Sequence, residues 1–140
     1  ETAFAQEEGR TREYFSAVPS GFPEDMPVDP KPLKVVDSYI ETVEPDEASG
    51  RLAHAQATYA YTTSQKPELI SNSFKQYLTA QGYSDVSANQ LKDNQTSYTL
   101  SGHKQVTGGA SEVLTQWVNI AIVAQSQVES LVSISVILSK

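Results

Sequence analysis

The stretch Arg51-Leu52-Ala53-His54-Ala55-Gln56-Ala57-Thr58-Tyr59-Ala60-Tyr61-Thr62, followed shortly by Pro67-Glu68 and a segment ending in Gln81-Gly82-Tyr83, decides the fold. Its first part alternates. Ala53, Ala55, Ala57, Tyr59 and Tyr61 share one face of a strand, and Leu52, His54, Gln56, Thr58 and Ala60 share the other. In the second part Ile70, Phe74, Tyr77 and Leu78 form one apolar stripe, while Ser71, Asn72, Lys75, Gln76 and Thr79 look outward, which predicts an amphipathic helix over 67–81. Pro67 suits the first helical position, Glu68 sits by the positive end of the dipole, and Gly82 supplies the left-handed residue that ends the helix. Because small side chains admit a close helix, Phe74 is expected to pack over Ala55 and Ala57.

Outward from this unit, Leu33 to Val43 reads as a strand, and Glu44-Pro45-Asp46-Glu47-Ala48-Ser49-Gly50 as a turn. Five of the seven prolines fall between Pro19 and Pro32, giving a stiff extended lead-in that Phe22, Met26 and Val28 would pin to the core. Residues 1–18 read as an acidic arm, and 19–140 as a single domain. Downstream, Asp85 to Leu91 and Gln95 to Ser101 form a hairpin around Lys92-Asp93-Asn94, and Gly102 to Ser111 is expected to be loop. Two strands close the chain, with Val118, Ile120 and Ile122, then Val132, Ile134, Val136 and Leu138, facing inward. The expectation is a two-layer α+β fold. One amphipathic helix packs on one face of an antiparallel sheet of five to six strands, in the order β-β-α-β-β-β-β. His54, Gln56, Thr58, Ser97, Thr99, Asn119, Ser133 and Ser135 would then gather on the opposite, solvated face, with Trp117 at one end.

Charge and composition exclude several functions. The 140-residue chain carries a net charge of −7, and residues 1–47 hold 12 of the 17 carboxylates, leaving the remainder nearly neutral. There is no Lys and Arg cluster of the kind phosphate binding needs, so nucleic acid is not an expected partner. Ser, Thr, Gln and Asn make up 43 of the 140 residues, so the surface is wetted mainly by hydroxyls and amides. No apolar run is long enough for a membrane span. The absence of cysteine rules out disulfides, thiolate nucleophiles and thiolate metal sites. The chain starts at Glu1 without an initiator Met, which is the pattern of a processed protein, secreted, periplasmic or lipid-anchored through a removed N-terminal segment.

Pro23-Glu24-Asp25-Met26-Pro27-Val28 running into Val35-Val36, the strand ending in Tyr59 and Tyr61, and the Pro67-Glu68 helix ending in Gln81-Gly82-Tyr83 carry a family likeness. Over roughly residues 19–101 the chain resembles a loose group of small, uncharacterised bacterial envelope domains, many of them secreted or lipid-anchored. It departs from them at Lys31-Pro32, where the group often has a Pro-Gly-like turn. The resemblance implies an extracytoplasmic home and brings no catalytic residues with it.

Chemical motifs are sparse. His54 and His103 are far apart in sequence and lack a close His-x-x-x-His pairing, so no metal site is expected. Neither is accompanied by a Gly-x-Ser-x-Gly elbow. The acidic groups Glu24, Asp25, Asp29 and Glu41, Glu44, Asp46, Glu47 lack the Asp-x-Asp-x-Asp-Gly ladder of a calcium loop and read as a solvated edge. A glycosidase pair would require a desolvated carboxyl that such polar loops do not supply. Gly108-Gly109 lacks a phosphate-cradling context, and Asn94-Gln95-Thr96 is too short a pattern to carry weight. Tyr59, Tyr61, Tyr77 and Tyr98 read as core tyrosines with their hydroxyls at the rim.

Trp117 stands apart. A lone tryptophan on a polar sheet face beside Asn119, Thr99 and Ser97 is a plausible binding anchor. The expected function is therefore a non-catalytic extracytoplasmic domain, without cofactor, that binds a protein or cell-envelope component through Trp117, Asn119, Thr99 and Ser97. The alternative is an apolar-ligand carrier with a pocket between Phe74, Tyr77 and the alanine-rich strand. A hydrolase using His103 and nearby serines is the weaker third reading.

Overall fold

The computed structural model describes all residues except 1–3, 8–9, 21, 24, 45–53, 93–95, 108–112 and 140. The elements are β1 (Phe4–Glu7), β2 (Arg10–Tyr14), β3 (Lys34–Val43), β4 (His54–Thr63), α1 (Pro67–Ala80), β5 (Ser84–Lys92), β6 (Thr96–Thr107), β7 (Val113–Ala124) and β8 (Ser130–Ser139). They form an α+β fold with one antiparallel sheet in the spatial order β1-β2-β3-β4-β8-β7-β6-β5. This corrects the expected five to six strands in the order β-β-α-β-β-β-β: among the described residues the sheet has eight strands, and four of them precede the helix.

The extra pair comes from the segment read as an acidic arm. β2 adds to β3 through Arg12, whose Nε and NH2 donate to Glu41 Oε2 at 3.2 and 2.6 Å. Its guanidinium also lies 4.2 Å over the Tyr39 ring, and Tyr14 packs on the same ring at 5.8 Å. Hydrogen bonds to Tyr14 and Glu41 hold the Arg12 pKa above its ordinary value. Charged side chains hid this strand, because Arg10, Arg12 and Tyr14 alternate in a way hydrophobicity alone does not register.

β8, the last strand, lies between β4 and β7, and this is why Val132 and Ile134 are fully buried. Its insertion also fixes the helix. The chain leaves β4 and re-enters at β5, four strand spacings away, or roughly 19 Å. A 14-residue helix, about 21 Å long, spans that distance. α1 therefore crosses β7, β6 and β5. The expectation that Phe74 packs over Ala55 and Ala57 is corrected accordingly. The helix end is as read: Gly82 has φ +81°, its N–H donates to the Thr79 carbonyl at 3.2 Å, and the Tyr83 N–H to the Leu78 carbonyl at 3.0 Å, a Schellman closure.

The β4 part of that face is covered by the proline-rich lead-in. Phe22 and Met26 are buried, Val28 packs against the core, and Phe22 meets Tyr59 edge-on at 6.2 Å. Asp29 ties this strap down. Its Oδ2 accepts from Thr63 Oγ1 at 2.5 Å, and its N–H donates to the Tyr61 hydroxyl at 3.4 Å. Tyr59, Tyr61, Phe74, Leu78, Val118, Ile122 and Ile134 form the centre of the core beneath helix and strap.

Gly102 to Ser111 was expected to be loop, yet residues 102–107 continue β6. Gly102 is present for close approach rather than for a turn: a Cβ there would lie 3.2 Å from the Cβ of Tyr83. The acidic loop from Pro45 to Gly50, the sequon at Asn94 and the Gly108-Gly109 pair fall on residues outside those described, as does the side chain of His54.

Candidate functional site

Opposite the helix, the registers of β6, β7 and β8 line up the polar side chains of alternate positions. Ser101 pairs with Asn119 and Asn119 with Ser135; Thr99 pairs with Ala121 and Ala121 with Ser133. All lie on one face because the strand period is two. Their partners one residue away, Leu100, Val118, Ile120, Val132 and Ile134, point into the core.

This polar patch is concave. It encloses about 410 Å³, with Asn89, Thr99, Ser101, Asn119, Ser133 and Ser135 among its lining residues. Among the described residues, those lining it include no Asp, Glu, Lys or Arg. The chemistry available is hydrogen-bond donation and acceptance by hydroxyls and amides, each able to do both. Asn89 is partly committed, its Nδ2 donating to Ser87 Oγ at 2.9 Å.

Trp117 follows two residues before Asn119 on β7 and is 44% exposed. On β6 its register partner is His103, and the two rings stack with centroids 4.6 Å apart and 34° between planes. His103 Nε2 is 3.6 Å from Asp85 Oδ2, which is an ion pair when the imidazole is protonated. A second concavity of about 650 Å³ opens at this end, where β5 begins, lined by His103, Trp117, Thr115, Gly82 and Lys104. Lys104 is engaged there: its Nζ donates to the Gln81 carbonyl at 3.4 Å and lies 4.6 Å over the Tyr83 ring. The Tyr83 hydroxyl accepts from Gln116 Nε2 at 2.7 Å. Burial raises the Tyr83 pKa, and the Gln116 contact offsets part of that rise.

Of the residues expected to form the site, Thr99 and Asn119 line the trough and Trp117 stands between the two concavities. Ser97 lies further along β6 opposite Val123, outside the lining of either. The expected solvated face is also narrower than read, since Thr58 on β4 is buried with Thr62 and Ala60. His103 was assigned to a turn; the alternation Ser97, Thr99, Ser101, His103, Gln105 across Gly102 is the signal that places it on the strand beside Trp117.

The other chemistries find less support in this arrangement. His103 meets Asp85 and Trp117 and has Ser84 as its register partner on β5, and among the described residues no serine hydrogen-bonds to its imidazole. The carrier geometry required Phe74 over the alanine-rich strand, whereas Phe74 is fully buried and its helix lies across β5 to β7. Among the described residues no group of three or more His, Cys, Asp or Glu side chains is placed to hold a metal, and no helix is long and apolar enough to cross a membrane. Comparison with protein-family models, with curated proteins and with solved structures finds no match.

Proposed function

We propose that this chain is a non-catalytic binding domain that engages a protein or cell-envelope component through the polar face of β5 to β8, with Trp117 as its anchor. One observation carries the reading: the lone tryptophan is nearly half exposed at the end of an uncharged trough of hydroxyls and amides. Tryptophan at the edge of a concave polar surface is the residue type in which binding energy concentrates when a partner covers it. Among the described residues, those lining the trough supply hydroxyls and amides without a desolvated acid or base, an arrangement suited to binding. An extracytoplasmic setting is supported by the resemblance to bacterial envelope domains over roughly residues 19–101.

Photo-cross-linking tests this reading. A benzophenone side chain is placed at Ser97 or Gln105, at the two ends of the same face of β6, and at Asn72 or Lys75 on the outer face of α1, and each protein is incubated with envelope extract. Adducts at the two sheet positions and none at the helix positions are expected. Adducts confined to the helix positions, or equal at all four, overturn the assignment of the binding face.

A further inference from the structure

The two concavities are not separate in direction. Along β6 the trough residues Thr99 and Ser101 give way to His103 and Gln105 of the second concavity, and along β7 Ala121 and Asn119 give way to Trp117 and Thr115. They form one track parallel to the strands. From Ala121 to Thr115 it runs roughly 20 Å at about 3.3 Å per residue. A ligand that fits it is elongated rather than compact.

The chemistry of the track narrows the ligand class. An acidic chain or nucleic acid would want free cations, yet no Lys or Arg is among the trough's lining residues, and Lys104 beyond it is held by Gln81 and Tyr83. A cationic chain would want carboxylates, and the trough's lining residues contain none. A lipid tail would want a continuous apolar lining, whereas this one sets Ala121 and the buried Leu100 and Ile120 among Ser, Thr and Asn side chains in an open trough. What remains is an uncharged chain that carries both donors and acceptors along its length and has weakly polarised C–H faces for an indole ring. A sugar ring has all three: hydroxyls for Ser101, Asn119 and Ser135, and axial C–H groups for the electron-rich face of Trp117.

Resting on the binding-face reading above, we infer that the β6–β7 track is a binding site for a linear neutral glycan, with Trp117 as its stacking platform and Asn119, Ser101 and Ser135 as its hydrogen-bonding partners. His103 stacks against Trp117 and fixes the platform's angle, so it is a positioning residue.

Trp117 is the only tryptophan, so its emission reports on this site alone. The purified full chain is titrated with linear oligomers of β-linked glucose and of N-acetylglucosamine, with the corresponding single sugars, and with heparin as an acidic comparator. Emission is followed together with calorimetry. A neutral oligomer is expected to shift the emission and to bind roughly tenfold or more tightly than its single sugar, with heparin inert. Trp117→Ala should lose roughly tenfold or more in affinity by calorimetry, and Trp117→Phe should recover part of it. Ser135→Leu, which fills the trough while leaving the tryptophan in place, should abolish binding with the melting temperature retained. Heparin binding more tightly than the neutral chains, or self-association of the protein that buries Trp117, overturns the glycan assignment. So does a null response to every neutral chain. If the Ser97 and Gln105 cross-links persist alongside that null, only the ligand class falls; if they vanish too, the face reading falls with it.

Discussion

On β7, neighbouring residues live under different rules. Val118, Ile120 and Ile122 are at most 2% exposed beneath α1, while Trp117 is 44% exposed and Asn119 is exposed beside it. On the dry face a side chain is chosen for volume, because the interior is close-packed and any deletion leaves a hole. On the wet face volume is nearly free and hydrogen-bonding capacity is what distinguishes one residue from another. The two faces should therefore separate stability from binding, and substitutions can be chosen to break that separation.

The largest effect is expected at Phe74, which has no exposed surface. Phe74→Ala should cost about 3 to 5 kcal/mol in denaturant unfolding, with the midpoint lowered and the slope unchanged. A loss below about 1 kcal/mol would mean that α1 can collapse into the gap, and the dry face would not be dry in the sense used here.

Next comes alkaline pH. Burial pushes the Tyr61 hydroxyl up to about 12, and it does so on the same dry face. In the unfolded chain it ionises near 10, so between those values the unfolded state gives up a proton that the folded state retains. Stability from this group is complete below pH 10 and is lost as pH rises towards 12, by about 2 to 3 kcal/mol. Tyr61→Phe should flatten that decline in a pH series of melts. An unaltered slope would show that Tyr61 is not the group responsible.

The strap can be tested against the helix. Asp29→Ala removes the acceptor of the Thr63 hydroxyl and the acceptor of the Lys31 N–H, at 2.5 and 2.9 Å. A loss of roughly 1 to 2 kcal/mol is expected, less than for Phe74: the buried Thr63 oxygen still accepts from the Gln65 N–H, while its own O–H loses the carboxylate that accepts it. Amide exchange should rise over residues 22–33 before it rises in α1. Simultaneous loss of protection in both would make strap and helix a single cooperative unit.

How much of this was legible in the sequence follows the same division. The dry face was readable, because Val118, Ile120 and Ile122 and the Ile70, Phe74, Leu78 stripe repeat at the periods of a strand and a helix. The strap was readable through its prolines. What escaped was anything set by topology: β8 could pair at an edge or at the centre by local pattern alone, and its insertion carried α1 away from the alanine-rich strand. β2 escaped because Arg12 reaches the sheet through Glu41 and Tyr39 rather than through apolar burial. The shared face of Trp117, Asn119 and Thr99 was legible by alternation, whereas the place of His103 on the same face was lost when Gly102 was taken for the start of a loop. Glycine serves turns and close approaches alike, and only the position of Tyr83 tells them apart.

The smallest effect is the sharpest test of the division. Asn119 lies on the same strand as Val118 and Ile120 and is flanked by Ser101 and Ser135 in register. Its side chain faces water, so Asn119→Ala exchanges protein-facing water for bulk water and removes no buried partner. Stability should stay within about 0.5 kcal/mol of the parent, as for surface substitutions away from caps and strained backbone. If the same substitution weakens ligand binding measured by calorimetry, the wet face is selected for recognition rather than for folding. A cost above about 1 kcal/mol with binding untouched would reverse that assignment, because Asn119 would then be holding β6, β7 and β8 in register through side-chain contacts of its own.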